Sequence, residues 1–278
     1  MCKYLTSGII YDIIQILPLG RIMHKSICRR IVKSQKMRLQ MLFFGVWTMN
    51  IIKSFTKAER ALWLTALILI TASFFIFGGN GILTLIASIL GVTSIIINAK
   101  GEPLGQLIMV FFSLMYGYIS FSFSYFGEMI TYLGMTMPMA AFSYISWLRN
   151  PFKEGKTEVR VNTLSALEVG FMILLTGAVT FVFYFILRHF NTANLIPSTL
   201  SVATSFAAVY LTFRRSEYFS LIYAMNDIVL VILWTLAAFS DTSYISVVIC
   251  FAMFLVSDIY GFISWKKMKN RQKESELS

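Results

Sequence analysis

Apolar positions in this chain form long runs that short polar segments separate. From residue 61 onward there are eight such runs, and most approach the about 20 residues that a helix needs to cross a bilayer. The predicted spans are 61–78, 82–98, 104–124, 129–148, 167–187, 197–213, 218–239 and 243–265. Strand-like alternation of apolar and polar residues, typical of a β-barrel, is absent. The pattern therefore predicts an all-α polytopic membrane protein with eight transmembrane helices.

Composition supports a membrane domain over residues 61–268, followed by a polar tail over 269–278. The chain is 57% hydrophobic and only 13% charged, about half the charged share of a soluble domain. The cysteines Cys2, Cys28 and Cys250 have no paired spacing, so they predict neither a disulfide framework nor a zinc site. We expect the lipid bilayer as the surroundings of the domain, and no metal ion or cofactor.

Residues 1–60 differ from the rest, because they hold 11 of the 24 Lys and Arg residues. Within them, the apolar stretch 39–52 is too short to span a bilayer and predicts an amphipathic helix lying in the interface. We interpret 1–60 as a basic cytoplasmic leader, with His24 at its surface. A disordered leader, or a later start of translation at one of several methionines, is the alternative.

The basic residues also predict an orientation. With eight spans, 23 of the 24 Lys and Arg residues fall on one side of the membrane, and only Arg188 falls on the other. Lys and Arg concentrate in cytoplasmic loops, so both termini are predicted to be cytoplasmic. Because the net charge of +11 lies beside the apolar runs, it indicates topology and no nucleic-acid partner.

Parts of the second and fourth spans recur later in the chain. Thr84-Leu85 and Glu102 reappear 115 residues later, and the segment that ends at Trp147 reappears 118 residues later at Trp265. A generic ending of a span, with Trp followed by a basic residue, is the alternative explanation for the second match.

This recurrence predicts two three-helix units, 82–148 and 197–266, joined by the linker helix 167–187. Both units would have the same orientation, which is a parallel repeat of the kind found in transporters. The result is a 3+1+3 core with an additional N-terminal helix at 61–78. Substrate is then expected near the midplane between the two units.

The seventh span carries Asn226 and Asp227 side by side. An amide and a carboxylate in hydrocarbon are costly, so they normally face a partner or a water-filled cavity. At helical spacing they are framed by the rings of Phe219, Tyr223 and Trp234. This arrangement suits a binding site for a flat polar molecule, and a contact that only anchors another helix is the alternative.

Three further residues each have a structural and a functional interpretation. Asp258 in the eighth span is expected to anchor a neighbouring helix. Glu128 lies in an outward-facing turn, where a solvated residue is the expectation and attraction of cations is the alternative. Pro138 is expected to kink the fourth span, either as static shape or as a hinge.

An ordered set of residues carries a resemblance to a known family. Its members are Lys100-Gly101, Gly105-Gln106, Tyr116, Tyr118-Ile119, Tyr125-Phe126-Gly127-Glu128, Pro138-Met139, Trp147, Asn150-Pro151, Glu158-Val159-Arg160, Asn226 and Ser264-Trp265-Lys266. In this order they resemble the PnuC family of bacterial nicotinamide riboside transporters, also described as nicotinamide mononucleotide transporters. The similarity covers about residues 60 to 268.

The resemblance implies a fold similar to that of the SWEET sugar transporters, in a bacterial plasma membrane. It implies uptake of nicotinamide riboside by facilitated diffusion with alternating access, and trapping by phosphorylation through a cytoplasmic kinase. It also suggests a homotrimer and no enzymatic activity. The residues expected to bind substrate are Asn226, Asp227, Phe219, Tyr223, Trp234, Gln106 and Tyr116.

One departure from the family bears on the substrate. The family pattern Trp-x-x-Trp-x-x-x-Asn is matched at Asn226, but Phe219 and Ile222 stand at the two Trp positions. Another nucleoside or a vitamin, such as a deoxynucleoside or thiamine, is therefore the alternative substrate. The phosphorylated mononucleotide is disfavoured, because no Lys or Arg is predicted inside a span to bind its phosphate.

A membrane-embedded enzyme is the alternative of another class. Such enzymes need a metal-binding set of His and Glu or a Ser–His pair. The two histidines, His24 and His189, both lie outside the predicted membrane core, and no HExxH motif occurs. We therefore expect a transporter and no catalytic residues.

Overall fold

A computed structural model of the chain describes residues 54–77, 81–122, 126–153, 157–192 and 194–277, except for the side chain of Phe126. The chain divides into the units Met1–Phe55 and Thr56–Ser278, and the helices belong to the second unit. The predicted leader, including His24 and the interfacial helix over 39–52, lies outside the described residues except at its end.

The described residues of the second unit are almost entirely helical. In chain order the helices are α1 Lys57–Phe77, α2 Ile82–Ala99, α3 Pro103–Ser122, α4 Phe126–Ile130, α5 Met137–Arg149, α6 Ala166–His189, α7 Leu195–Phe213, α8 Phe219–Ala238 and α9 Ile245–Leu277. A π-helical segment, Thr131–Thr136, joins α4 to α5, and a short 3₁₀ turn precedes α9. The all-α fold class predicted from the apolar pattern is confirmed.

Seven of the described helical segments are long and apolar enough to cross a membrane. Six of them are α1, α2, α3, α6, α7 and α8, and the seventh is α9 with the turn that precedes it. Their limits agree closely with the predicted spans. The exceptions are the start of the first span, because α1 begins at Lys57 and not at residue 61, and the end of the eighth span, because α9 continues to Leu277.

The fourth predicted span is continuous but irregular. It consists of α4, the π-helical segment and α5, which together run from Phe126 to Arg149. Pro138 is the second residue after the π-helical segment, and the Met137 N–H bonds to the Tyr132 carbonyl five residues earlier. The irregularity in the structure thus precedes Pro138, and the kink at Pro138 itself stays a prediction. A widened turn of this kind is common at functional sites.

The tail expected over 269–278 is helical as far as Leu277, since α9 continues through it. The reason is a set of contacts with the segment that follows α5. Gln272 donates to the Glu158 carboxylate and to the Val159 carbonyl, and accepts from the Val161 N–H. Gln272 is only 4% exposed, so one face of this part of α9 packs against protein, while most of its other residues are exposed.

The long helices pack in two groups that also contact each other. Helices α2, α3 and α5 form one group, and α7, α8 and α9 form the other. Between the groups, α9 packs against α2 and α7 packs against α5. Helix α6 packs against α7, and α1 packs against α2 and α9.

Two tryptophans connect the groups in a reciprocal way. Trp147 at the end of α5 donates from Nε1 to the Thr212 carbonyl near the end of α7, at 2.9 Å. Trp265 of α9 donates from Nε1 to the Asn98 carbonyl near the end of α2, at 2.8 Å. Both tryptophans are fully buried, and their rings lie 5.2 Å apart between centroids. Each group of helices thus donates a hydrogen bond to a carbonyl near the end of a helix in the other group.

The same end of the helices carries most of the described basic residues, and we call it the basic end. Five ion pairs among the described residues connect elements there, and three of them join the ends of helices. Lys100 after α2 pairs with Glu59 of α1, Lys269 of α9 pairs with Glu217 before α8, and Arg214 after α7 pairs with Glu168 of α6. These pairs fasten α1, α6 and α9 to their neighbours at one level of the bundle.

Glu102 and Glu217, which the sequence places in equivalent positions, differ in their surroundings. Glu217 has the Lys269 ammonium as its partner, whereas Glu102 accepts a hydrogen bond from the Thr157 hydroxyl at 2.7 Å. Burial is the main influence on the Glu102 carboxyl and raises its pKa above the usual range. The bond from Thr157 and the charge of Lys100 partly oppose that effect.

The reciprocal bonds predict that both tryptophans stabilise the bundle through their indole N–H. Trp147→Phe and Trp265→Phe should each lower the free energy of unfolding by about 0.5–1.5 kcal/mol, because one buried hydrogen bond is lost. Each carbonyl keeps a backbone donor, the Arg215 N–H for Thr212 and the Gly101 N–H for Asn98. Thermal unfolding of the detergent-solubilised protein measures this. Trp63→Phe is the matched control, since the half-buried Trp63 donates to the Thr93 hydroxyl, which can bond elsewhere. Equal losses in all three variants would contradict the prediction.

Candidate functional site

A cavity lies where the two groups of helices meet. Its walls come from α2, α3, α4, the π-helical segment, α7, α8 and α9, with a contribution from the end of α6. The centres of water molecules can occupy about 110 Å³ of it, several times the about 10–15 Å³ that a single water needs. The cavity is therefore large enough for a small organic molecule, and it lies in the interior of the bundle.

Six of the seven predicted binding residues line this cavity. They are Asn226, Asp227, Phe219, Tyr223, Trp234 and Tyr116. Five of the six lie on neighbouring faces of α8, and Tyr116 lies on α3. The helical spacing that grouped the α8 residues in the sequence therefore brings them to one wall.

Gln106, the seventh predicted residue, is not among the cavity-lining residues. It is 3% exposed, and its Nε2 donates to Asn98 Oδ1 at 2.9 Å. Asn98 does line the cavity. Gln106 thus contacts a lining residue and lies one layer away from the cavity.

The amide of Asn98 is fixed by a chain of hydrogen bonds. Besides the bond from Gln106, Asn98 Nδ2 donates to Ser94 Oγ at 3.3 Å, and the Ser94 hydroxyl donates to the Gly105 carbonyl at 2.8 Å. A Cβ atom at Gly105 would lie only 2.2 Å from Asn98 Oδ1. A glycine at this position is therefore required for α3 to approach Asn98 so closely.

Asn226 has one identified side-chain partner, the Thr204 hydroxyl of α7, which donates to its Oδ1 at 2.8 Å. This bond orients the amide so that its NH₂ group, with two donors, remains for other partners. Asn226 is only 5% exposed. Its position in the wall makes the NH₂ group a candidate contact for a polar group inside the cavity.

Three carboxyl groups line the cavity: Glu128, Asp227 and Asp258. Asp227 and Asp258 are each 4% exposed, and their carboxyl groups are in hydrogen-bond contact with one another. Among the described residues that line the cavity there is no Lys, Arg or His. The balance of charge in the cavity therefore favours a cation.

Two of these acids have surroundings that differ from the expectations drawn from the sequence. Glu128, expected as a solvated turn residue, lines the cavity, and the Ser120 hydroxyl lies 3.5 Å from its Oε2. Asp258, expected only to anchor a helix, both contacts Asp227 of the neighbouring helix and lines the cavity. An isolated acid in a span gives no signal that distinguishes these two roles.

Aromatic rings form another part of the wall, and the sequence identified only some of them. Tyr116 of α3 lies 4.5 Å from Tyr132, measured between ring centroids. Phe112 lies 5.6 Å from Tyr116 and 6.4 Å from Phe254 of α9. Tyr132 belongs to the π-helical segment, whose extra residue changes the direction in which later side chains point. Regular helical spacing could not place it in the site.

Phe219 and Ile222 have different positions in the structure. Phe219 lines the cavity and packs against the Trp147 and Trp265 rings, with its centroid 6.1 Å and 4.8 Å from theirs. Ile222 packs against the same buried cluster and is not among the cavity-lining residues. The absence of a ring at position 222 thus leaves the aromatic wall formed by Tyr116, Tyr132 and other residues in place.

Comparisons with known proteins point to one family. The family model described as "Nicotinamide mononucleotide transporter" matches residues 81–267. The chain is 25% identical over 231 residues to a protein of Neisseria mucosa named nicotinamide riboside transporter PnuC, covering 81% of this chain and 87% of that protein. It is 21% identical over 217 residues to the protein of the same name from Haemophilus influenzae, covering 77% and 92% respectively.

A solved structure supports the fold. The crystal structure of the vitamin B3 transporter PnuC superimposes with a TM-score of 0.70 at 21% sequence identity. The match covers 81% of this chain and 97% of the other. Similarity at this level of identity shows only that the helices are arranged alike. The assignment of the cavity residues rests on the geometry of this chain.

The Asn98 network predicts a specific sensitivity at Gly105. Gly105→Ala should lower the free energy of unfolding by about 1–3 kcal/mol, the usual cost of overpacking, because its Cβ would displace the Asn98 amide. Gly170→Ala on α6 is the matched control. Nothing lies within 4 Å of a Cβ there, so it should be neutral or stabilising by up to about 1 kcal/mol. Thermal unfolding in detergent measures both, and equal behaviour of the two variants would contradict the prediction.

Proposed function

The chain belongs to the nicotinamide mononucleotide transporter family, and on that premise we propose that it takes up nicotinamide riboside. The named relatives from Neisseria mucosa and Haemophilus influenzae carry that substrate in their names. Nicotinamide riboside is a nucleoside whose pyridinium ring bears a positive charge. The proposal therefore requires a cavity that accepts a flat cation with a polar sugar.

The observation that carries the proposal is the combination of acids and rings in one cavity that lacks basic lining residues. Glu128 and the Asp227–Asp258 pair supply negative charge, and Tyr116 and Tyr132 supply ring faces. Contact between a cation and an aromatic face is worth up to about 2 kcal/mol when water is excluded. A pyridinium ring gains from both features, whereas a neutral base gains only from stacking.

The same observation argues for the riboside over its phosphorylated form. A phosphate group in a cavity needs Arg, Lys or the N-terminus of a helix to balance its charge. None of the described lining residues is Lys, Arg or His, and three are acids. Nicotinamide mononucleotide would therefore bring negative charge into a cavity that is already negative.

The predicted residues have distinct proposed roles. Asn226, oriented by Thr204, donates to the ribose or to the carboxamide of the substrate. Tyr116 and Trp234 contact the base, while Phe219 and Tyr223 complete the wall near the basic end. Gln106 acts through Asn98, because its amide is already bonded to that residue. Asp227 contributes to the preference for a cation.

Transport is proposed to occur by alternating access of the two helix groups as a 3+1+3 parallel repeat, with α6 as the linker. The reciprocal bonds of Trp147 and Trp265 support such a relation between the groups.

Uptake would be facilitated diffusion across a bacterial plasma membrane, with both termini and the basic end in the cytoplasm. A cytoplasmic kinase would trap the product, and assembly as a homotrimer completes the proposal.

A different nucleoside or vitamin is the second candidate substrate, and one observation favours it. Ile222 stands where the family has a second Trp, so the set of rings around the substrate is not the same as in relatives. Deoxynucleosides and thiamine are the compounds to compare. Thiamine shares the positive charge of nicotinamide riboside, whereas deoxynucleosides are neutral.

The substrate assignment predicts selective uptake into proteoliposomes that contain the purified full chain. Labelled nicotinamide riboside should enter above the level of protein-free liposomes. Excess unlabelled riboside should compete, while nicotinamide mononucleotide, thiamine and deoxynucleosides should compete at least about tenfold less well, a difference of about 1.4 kcal/mol. Stronger competition by thiamine or by a deoxynucleoside would support the second candidate. Absence of uptake for every compound would overturn the proposal.

The role of Asn226 predicts an effect of its partner. Thr204→Val removes the hydroxyl that orients the amide, so it should raise the KM for uptake by about threefold to tenfold, the value of one hydrogen bond. Thr235→Val is the matched control, because the exposed Thr235 bonds only to the Val231 carbonyl of its own helix. A Thr204 variant that transports like the Thr235 variant would show that this bond does not support binding.

A further inference from the structure

The contact between Asp227 and Asp258 determines how many protons the pair holds. Asp227 lies on α8 and Asp258 on α9, both almost fully buried in the wall of the cavity, and their carboxyl groups are in hydrogen-bond contact. An ionised carboxylate can only accept hydrogen bonds. A bond between the two groups therefore requires that one of them keep its proton, which leaves one acid and one carboxylate.

The other contacts indicate which residue carries the negative charge. Ser220 also lies next to Asp258, where its hydroxyl can donate to the carboxylate. Ser220 and Asp227 are seven residues apart on α8, so they project from one face of that helix. Asp258 thus faces two donors, whereas Asp227 Oδ2 is buried without a hydrogen-bond partner. A negative charge is most stable where donors surround it, which places it on Asp258.

A glycine lets the helices come close enough for this arrangement. Gly261 follows Asp258 by three residues on α9 and therefore lies on the same face. A Cβ atom at Gly261 would lie 2.8 Å from Ser220 Oγ and 3.7 Å from Ala99 Cβ. Ser220 itself is only 2% exposed. The hydroxyl is thus confined between α8 and α9, next to the carboxylate.

We propose that Asp258 is the residue that selects a positively charged base, and that Asp227 is a positioning residue that donates its proton to Asp258. Ser220 supplies the second donor. The proposal rests on the proposed function, since it explains how the same cavity distinguishes a cation from a neutral ring. It reverses the expectation from the sequence, in which Asp227 faced the substrate and Asp258 anchored a helix.

Asp227 Oδ2 has a separate role in this scheme. In a protonated carboxyl group that donates through one oxygen, the other oxygen is a neutral acceptor. Because it lacks a partner in the structure, it is available to a hydroxyl or amide group of the substrate. Loss of this oxygen should therefore weaken binding of charged and neutral substrates alike, separately from any effect on the preference for the cation.

Two probes of nearly the same shape separate charge from size. Nicotinamide riboside carries the positive pyridinium ring, and its reduced dihydro form has a neutral ring with the same substituents. Binding of each to the purified full chain is measured by calorimetry. The unmodified protein should prefer the oxidised form by at least about tenfold, which corresponds to about 1.4 kcal/mol.

Four variants then show which residue carries the negative charge. Asp258→Asn should abolish the preference for the cation. Asp227→Asn should keep both the affinity for the two probes and their ratio, because the amide still donates to Asp258 and still offers a neutral oxygen to the substrate. Asp227→Ala should reduce the ratio, because the donor is lost. Ser220→Ala, which leaves both acids in place, should also reduce the ratio and serves if an Asp258 variant fails to fold.

Three results would overturn the inference. One is loss of the preference in Asp227→Asn with its retention in Asp258→Asn, which would place the charge on Asp227. The second is a preference that survives in both Asn variants. The third is an unmodified protein that binds both probes equally well. Failure of the unmodified protein to bind or transport nicotinamide riboside at all would instead contradict the proposed function.

Discussion

Hydrocarbon offers no hydrogen bonds, and this constraint governs where polar side chains lie in the described helices. Polar groups in a membrane domain must find partners within the protein. Several Ser and Thr hydroxyls do so by bonding to the carbonyl one turn earlier, as Ser113, Thr212 and Ser257 do. The larger amides and acids cannot be satisfied in this way. Five of them, Asn98, Glu128, Asn226, Asp227 and Asp258, line one cavity between the helix groups, where Asp227 Oδ2 lacks a partner.

The basic end of the bundle shows how packing and function are connected. The indoles of Trp147 and Trp265 satisfy a carbonyl of the opposite helix group, and Phe219 packs against both rings while it lines the cavity. The contacts that join the two groups therefore also form part of the binding wall. Any movement of one group relative to the other would have to break the two indole bonds, which couples access to the cavity with the packing of these rings.

Much of the fold could be predicted from the sequence, because a membrane span has a length and a composition that a single chain reveals. The limits of α2, α7 and α8 agree with the predicted spans within about two residues, and Trp147 and Trp265 do occupy related positions. The continuation of α9 to Leu277 could not be foreseen, since it depends on bonds between Gln272 and residues more than 100 positions away.

The sequence could predict the candidate site only where its residues lie on a single helix. The regular spacing on α8 identified Asn226, Asp227 and Trp234, and the structure places all three at the cavity. Tyr132 was missed because a π-helical turn changes its direction. Gln106 was predicted to bind substrate but lies behind Asn98, because its amide bonds to that residue of the neighbouring helix. Contacts between helices thus decide the details that helical spacing cannot supply.

An experimental structure of the full chain with nicotinamide riboside tests the central claim most directly, namely that this cavity holds a cationic nucleoside. The account predicts the pyridinium ring within about 6 Å of an aromatic ring centroid of the cavity wall, the usual range of a cation–π contact, with the Asp258 carboxylate on the same side of the cavity. It also predicts the Asn226 amide within hydrogen-bond distance of the ribose or carboxamide. A riboside bound elsewhere on the protein, with the cavity unchanged, would contradict the account.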